Sequence, residues 1–162
     1  MPLQGMDRQK YLNNKFGGQD KTYKIYKNIN EVGKKNGIFF QFDKISKTPN
    51  SFLSHKLLAL GHKKGKQDQI IESLFFSYFV EGKDIGRIQE LVKIGEQNKL
   101  DTSETIEYLR SSDGQSSLLQ EEVHAKSMGI RGVPCFIINK KYVLFGAQDK
   151  DKFIDLFNNL IK

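Results

Sequence analysis

The sequence predicts an α-dominated α/β fold, in which a long run of helices is followed by a β-hairpin and one final helix. Apolar residues recur at helical spacing over most of the chain, and residues that cap helices precede several of these segments. Near the C-terminus, two short apolar runs replace this pattern, separated by a polar turn at Lys140 and Lys141. The 162 residues suffice for one domain with a sizeable core.

Eight helices and two strands follow from the capping residues and from the apolar spacing. Asp7, Asp20, Asp84 and Asp101 are placed as helix N-caps. The segment 37–42 is short and aromatic, so it fits either a strand or an extended crossing. The predicted helices cover residues 7–16, 20–35, 51–64, 69–82, 84–98, 101–110, 114–128 and 152–161, and the predicted strands cover 133–139 and 142–146.

The composition argues against nucleic-acid and membrane partners. The net charge is +7, but the lysines are spread from Lys10 to Lys162, and only four of the 26 cations are arginine. No stretch approaches the ~20 apolar residues of a membrane span. The N-terminus lacks the apolar core of a secretory signal, so we expect a cytoplasmic protein.

The cysteine and histidine content argues against a metal or cofactor. A single cysteine, Cys135, excludes an internal disulfide, a Cys-x-x-Cys pair and a Cys-based zinc site within this chain. His55 and His62 are seven residues apart on one predicted helix, about 10 Å along its axis, which is too far to share one ion. The sequence therefore predicts no metal site and no cofactor.

One local feature points to a binding site, the tripeptide Gly132-Val133-Pro134 before an apolar strand. Proline lacks an amide hydrogen and is rare in sheets except at an edge or at the first residue of a strand. The residues alone leave two interpretations open. Pro134 either simply begins the strand or is held in cis, which would turn the backbone sharply.

The segment RGVPCFIINKKYVLFGAQDKDKF (131–153) resembles the C-terminal half of DsbA-like thioredoxin-fold proteins, and the cytosolic FrnE-like branch most closely. The resemblance extends over PLQGMDRQKYLNNKFGG (2–18), TPNSFLSHKLLALGHKKGK (48–66), LFFSYFVEGKDIG (74–86) and EVHAKSMGIRGVP (122–134). It implies one DsbA-like domain over 1–162, with a helical insertion subdomain at 50–128 and the terminal β-β-α portion of a thioredoxin fold at 130–162. It also implies that Pro134 is cis.

The resemblance implies that the thioredoxin fold is truncated. Members of that family begin with a strand, a Cys-Pro-Trp-Cys motif at a helix N-terminus, that helix and a second strand, and the match here starts after all of these. In the family, the first cysteine attacks a substrate disulfide and the second resolves the mixed disulfide. This chain is therefore expected to lack the catalytic dithiol and to be inactive alone.

The resemblance also implies where a substrate would bind. Val133 and Pro134 correspond to the family's cis-proline loop, where the backbone before the proline pairs with an extended thiol or disulfide substrate. Asn50, His55 and Cys135 are implied as further residues of the groove, and no catalytic residue is assigned. Because Cys135 follows a proline on a strand, a small buried hydrophobe is favoured over an activated thiol.

Two other functions stay open. The glutathione-dependent branch of the same fold, similar to 2-hydroxychromene-2-carboxylate isomerases and kappa-class transferases, carries serine in place of the first cysteine. The Gly146-Ala147-Gln148 segment favours the oxidoreductase branch, since the isomerases usually have Gly-x-Asp-Arg there. The second alternative is a non-catalytic helical binding module, which would fold but show no thiol or glutathione activity.

The implied loss of the first strand affects the hairpin. In the family's sheet that strand pairs with residues 133–138, so VPCFII would present an apolar, unpaired edge. We expect one of three outcomes: poor solubility, a homodimer through this edge, or a molten region over 130–162 while the helices at 50–128 hold. If the chain is instead a cooperatively melting monomer, the segment 37–42 is expected to cover the edge.

Overall fold

A computed structural model describes residues 1–160, which divide into two compact units, 1–116 and a second that begins at Ser117. The first unit contains β1 (Met6–Asp7), α1 (Arg8–Phe16), α2 (Gln19–Lys35), β2 (Lys47–Thr48), α3 (Phe52–Lys63), α4 (Gln67–Phe79), α5 (Ile88–Gln97) and α6 (Thr102–Arg110). Next, α7 (Gln115–Ser127) crosses the division, and β3 (Cys135–Ile138), β4 (Tyr142–Phe145) and α8 (Lys150–Leu160) follow. The predicted subdomain boundary near 129 and the division at 116 thus lie at opposite ends of α7.

Two caps expected from the sequence are present at the starts of α1 and α6. The Asp7 carboxylate accepts a hydrogen bond from the Lys10 amide at 2.9 Å, and the Asp101 carboxylate accepts one from the Glu104 amide at 2.8 Å. Gly17 ends α1 with a left-handed φ of 77°, which favours glycine. Within residues 1–160, no helix combines the length and apolarity needed to cross a bilayer.

The core of the first unit lies between α3, α4, α5 and α6. Its buried side chains, mostly aliphatic, come from the inner faces that helical spacing predicts, and they are Leu57, Leu60, Ile70, Leu74, Leu91, Ile94, Leu100, Tyr108 and Leu109. Gly61 allows α3 and α4 to approach closely, since a Cβ there would lie 2.5 Å from Cδ1 of Ile70. Each fully buried aliphatic side chain contributes about 1.5–3 kcal/mol, so this cluster is the main source of stability in residues 1–116.

Asp84 was expected to cap α5, and this prediction is wrong. Its carboxylate accepts a hydrogen bond from the Gly86 amide at 3.0 Å and lies 3.0 Å from Nζ of Lys47. These contacts hold the chain in a turn, and α5 begins only at Ile88. The side chain satisfies a tight turn instead of a helix end, which is the other common use of an aspartate.

Asp20 was also expected to be an N-cap, but it lies in the first turn of α2, and Gly18 occupies the cap position. The two positions look alike in the sequence because a carboxylate stabilises a helix from either one. As a cap it accepts a backbone hydrogen bond, and in the first turn it interacts favourably with the helix dipole.

The segment 37–42 is not a strand of any sheet. The Gln41 amide donates to the carbonyl of Phe79 at 2.8 Å, and the rings of Phe40 and Phe42 stack with their centroids 5.1 Å apart. Phe79 meets both rings edge-on. Ring packing against α4 therefore explains why this stretch is aromatic. The pairing of β1 with β2 was not predicted, because two residues per strand give no periodicity.

In the second unit, β3 and β4 form an antiparallel hairpin in which Cys135 lies opposite Phe145. Asn139 and Lys140 form the turn, with left-handed φ angles of 52° and 55°. The turn therefore begins one residue before the predicted turn at Lys140 and Lys141. Apart from glycine, asparagine tolerates the left-handed conformation best, and this explains why the turn begins at Asn139.

The two units differ in the apolar surface that they bury. The twelve buried hydrophobic residues of the described chain all lie between Leu12 and Leu109, and no residue from Ser117 to Leu160 is buried. In the second unit, the ring of Phe136 meets that of Phe153 edge-on at 4.9 Å, and Phe136 is still 37% exposed. The hydrophobic effect therefore stabilises the second unit far less than the first.

We expect the amides of β3 to exchange with solvent at least about a hundredfold faster than those of Leu57 and Leu91, because protection follows burial and local contact density. Hydrogen–deuterium exchange of the whole chain, resolved by peptide mass spectrometry, measures both regions in one experiment. Equal protection in β3 and in the two core helices would show that the hairpin is held as firmly as the core.

Candidate functional site

The predicted substrate loop, 132–134, directly precedes β3. The peptide bond between Val133 and Pro134 is cis. The carbonyl of Pro134 accepts a hydrogen bond from the Gly146 amide at 2.8 Å, which ties the loop to the end of β4. Because proline has no amide hydrogen, the ladder between the strands begins with this carbonyl.

Val133 presents both its side chain and its main chain to solvent. The residue is 90% exposed, and within residues 1–160 neither its amide nor its carbonyl forms a hydrogen bond. Backbone groups of a folded chain are normally paired with each other or with water. Unpaired groups next to a strand edge are those to which an extended peptide can add as a further strand.

Cys135 follows this loop as the first residue of β3. Its thiol forms no disulfide, and the residue is half-buried rather than buried. The thiol therefore lies within one residue of the exposed loop and keeps partial access to solvent. The sequence interpretation as a buried hydrophobe describes this residue only in part.

Asn50 and His55 lie in the first unit, at the start of α3. The Asn50 side chain donates to the carbonyls of Met1 and Pro2, at 3.1 and 3.4 Å, and accepts a hydrogen bond from the Phe52 amide at 2.9 Å. Asn50 therefore joins the N-terminus to α3. His55 is exposed, and its ring forms no hydrogen bond within the described chain.

The family model of the DSBA-like thioredoxin domain matches residues 1–158. The chain belongs to this family. A probable DsbA oxidoreductase from Streptomyces coelicolor has a similar structure, with a TM-score of 0.84 and 19% sequence identity over 95% of this chain and 67% of that one. At this identity the likeness shows the fold alone, and it confirms the predicted DsbA-like thioredoxin fold. A search of curated proteins found no match.

Of the predicted site residues of this DsbA-like domain, three are consecutive in the second unit, namely Val133, Pro134 and Cys135. The other two, Asn50 and His55, share the start of one helix in the first unit. Two features of the first unit were not predicted from the sequence, a polar cluster around Arg8 and a buried lysine at position 56.

Arg8 is the centre of the polar cluster. Its Nη1 donates to the hydroxyls of Tyr78 at 2.9 Å and Thr48 at 3.2 Å, and its Nη2 donates to the hydroxyl of Tyr26. Burial raises the pKa of Tyr26 and of Tyr78, and the charge of Arg8 opposes this in both, so the two hydroxyls are protonated at neutral pH. One guanidinium thus joins α1, α2, β2 and α4.

The groove beside Arg8 does not suit an anionic ligand. The groove measures roughly 670 Å³, and its lining residues include Asp7, Asp20 and Asp43. Nε of Arg8 is buried without an acceptor among residues 1–160. Since three acidic residues line this space and the guanidinium donates to hydroxyls, we interpret the cluster as structural.

Lys56 is only 1% exposed. Its Nζ donates to the carbonyl of Ser111 at 2.6 Å and to that of Leu109 at 3.4 Å, and it lies 5.2 Å from the centre of the Tyr108 ring. These carbonyls end α6, where the helix dipole favours a cation. Burial lowers the pKa of Lys56, and the charge of Asp113 opposes this shift. The ammonium therefore caps α6 from within the core.

Replacing Arg8 by lysine is expected to lower the free energy of unfolding by about 2 kcal/mol, because one ammonium nitrogen replaces the two guanidinium nitrogens that donate to the three hydroxyls. The matched control is Arg87→Lys, at a side chain that is 67% exposed. That variant should stay within about 0.5 kcal/mol of the wild type. Urea unfolding followed by circular dichroism measures both variants, and equal stabilities would contradict the role given to Arg8.

The stability conferred by Lys56 is expected to rise with pH. Because its pKa in the folded chain is below the ordinary value of 10.5, the folded state binds fewer protons than the unfolded state between these two values. The free energy of unfolding therefore increases with pH in that window. Wild type should gain stability relative to Lys56→Met as the pH rises toward 10.5, which urea unfolding at a series of pH values measures.

The matched control for Lys56 is Lys63→Met. Nζ of Lys63 also lies over the Tyr108 ring, at 5.1 Å, but the residue is exposed. Lys63→Met therefore removes a cation from the same ring without changing a buried site, and it reports what the loss of that contact alone does to stability. If the difference between wild type and Lys56→Met does not change with pH, burial does not shift the titration of Lys56.

Proposed function

We propose that this chain forms the substrate-binding part of a DsbA-like thiol–disulfide oxidoreductase of the FrnE-like branch. In this proposal the loop at Val133 and Pro134 and the free edge of β3 hold an extended thiol or disulfide substrate. The observation that supports it most is the exposed main chain of Val133, whose amide and carbonyl are unpaired among residues 1–160. A cytoplasmic location is part of the proposal and rests on the FrnE-like resemblance.

Sulfur chemistry limits what this chain does by itself. The thiolate of Cys135 can attack a substrate disulfide, forming one mixed disulfide and releasing the other substrate sulfur as a thiolate. Release of the substrate then needs a second thiolate to attack that mixed disulfide, and this chain, with one cysteine, supplies none. The proposal is therefore binding without turnover, which is also how a non-catalytic binding module of this family would behave.

Two partners compete for the same edge in this proposal. A second copy of the chain would pair through β3 in a homodimer and would exclude an extended substrate there. Asn50 and His55 are proposed as further groove residues on the resemblance alone. Asn50 would act by positioning the N-terminus, since its amide is already engaged by Met1 and Pro2.

Backbone pairing at Val133 is tested by NMR titration with an extended peptide that contains S-methylcysteine, which removes thiol chemistry. We expect shifts of the amides of Val133 and of β3, and binding weakened about tenfold or more when the peptide carries N-methyl groups that block pairing. Val133→Asp should weaken binding, whereas Val143→Asp, on the other strand of the hairpin, should not. Binding that tolerates both N-methylation and Val133→Asp would refute this site.

The absence of turnover is tested by an insulin-reduction assay with dithiothreitol as the reductant. Dithiothreitol can resolve a mixed disulfide in place of a second cysteine, so this assay asks whether the Cys135 thiol is activated. We expect the background rate from the whole chain and the same rate from Cys135→Ser. Turnover that Cys135→Ser abolishes would show that Cys135 is an activated thiol, and it would leave the binding proposal for Val133 to be judged by the NMR titration.

A further inference from the structure

A second groove lies in the first unit, between α2 and the segment that follows it. It measures roughly 440 Å³, which is within the range of ligand pockets, and no charged residue lines it. Its lining residues are Ile25, Asn28, Ile29, Val32, Gly33, Asn36, Ile38 and Phe40. All of them belong to a continuous stretch of fewer than twenty residues, so the groove is a local feature of this stretch.

The two walls of the groove are held together by Gly33. A Cβ at this position would lie 2.7 Å from the Phe40 ring and 2.8 Å from the carbonyl of Ile38, so only glycine allows the contact. The Ile38 amide donates to the carbonyl of Gly33 at 2.8 Å, and Phe40 is held in turn by its contact with Phe79. The groove is therefore preformed.

The side chains around the groove remain open to solvent. Val32 is 58% exposed, and Ile29, Ile38 and Phe39 are exposed as well. Contiguous apolar surface of this kind is uncommon on a monomeric protein and marks interaction sites. Four large apolar residues exposed within eleven positions indicate a surface that binds another molecule.

The charges that flank the groove are positive. Lys21 and Lys24 lie one helical turn before Ile25 and Asn28, and Lys35 lies three residues after Val32. Within residues 1–160, the side-chain ammonium groups of these three lysines take part in no ion pair or hydrogen bond. Over its whole length, α2 has five lysines and two carboxylates, which gives 5 − 2 = +3.

We propose that this groove docks an acidic segment of a partner protein, which places aliphatic or aromatic side chains in the groove and carboxylates beside the lysines. The concave shape fits inserted side chains better than a flat bilayer. A second copy of this chain is disfavoured, since two chains of net charge +7 would bring their lysines together. The proposal does not involve Cys135 or Val133, so it is independent of the proposed thiol chemistry.

The test is a selection of random short peptides displayed on phage against the immobilised whole chain. We expect enrichment of sequences that combine Asp or Glu with Leu, Ile or Phe. The most enriched peptide is then synthesised with a fluorescent label, and its affinity is measured by anisotropy at low and high salt. Salt should weaken the affinity, because exposed charges are screened.

Two pairs of variants locate the binding surface. Val32→Asp should lower the affinity for the peptide about tenfold or more. Val123→Asp, at another exposed helical valine, should leave that affinity within about twofold of wild type. Lys35→Glu should also lower the affinity for the peptide, whereas Lys10→Glu on α1 should not. Circular dichroism checks that each variant is folded.

The proposal is overturned if the selection enriches no sequence or basic sequences, or if the selected peptide binds Val32→Asp as well as wild type. Vesicles of phosphatidylserine and phosphatidylcholine provide the other arm. Suppose that the vesicles bind the chain, that Val32→Asp abolishes this binding, and that no acidic peptide binds. The groove then faces a membrane, and the assignment to an acidic protein segment is wrong.

Discussion

The packing of α3 against α4, α5 and α6 is the constraint on which the rest of the first unit depends. Leu57, Ile70 and Leu91, one from each of three of these helices, are completely buried. Fixing α3 in this way places Lys56 at the end of α6 and Asn50 against the N-terminus. Fixing α4 places Tyr78 and Phe79, which then hold the residues that precede α3. A loss of aliphatic packing would therefore remove the polar contacts as well.

The attachment of α1 and α2 to this core is of a different kind. Only Thr22 and Gly33 are buried on α2, so the helix contributes no aliphatic side chain to the core. It is held by the hydrogen bond between Arg8 and Tyr26 and by the stacking of Tyr26 on Phe42 at 4.2 Å. The same sparse burial leaves the apolar face of α2 open, which is why a groove exists beside it.

The parts of the fold that the sequence predicted are those governed by repeated local patterns. Helices with regular apolar spacing, the hairpin and the caps at Asp7 and Asp101 follow from rules that act over a few residues. The DsbA-like fold followed from segment resemblance, and the comparisons confirm the family. The turn at Asp84 depends on Lys47, a distant residue that no local pattern identifies.

The burial of Arg8 and of Lys56 was not predicted, and the sequence could have indicated it for only one of them. Arg8 begins a helix whose mean hydropathy is low, so nothing in its spacing marks it as half-buried. Lys56 lies three residues after Leu53 and four before Leu60, on the inner face of α3, and this spacing could have identified it. Val133 is exposed, and no residue from Ser117 to Leu160 is buried. Neither observation could be predicted, because a pattern of apolar residues does not reveal what they pack against.

The stability of this chain resides in the helical core, and the proposed substrate edge belongs to a unit that buries almost nothing. Labelling of the Cys135 thiol by dithionitrobenzoate across a urea titration tests this most directly, because the one cysteine reports on β3 alone. Circular dichroism, followed in the same samples, reports on the helices. We expect the labelling rate to reach its unfolded value at a urea concentration well below the midpoint of the helical transition. Coincident transitions would show that the hairpin and the core unfold as one unit and would contradict this account.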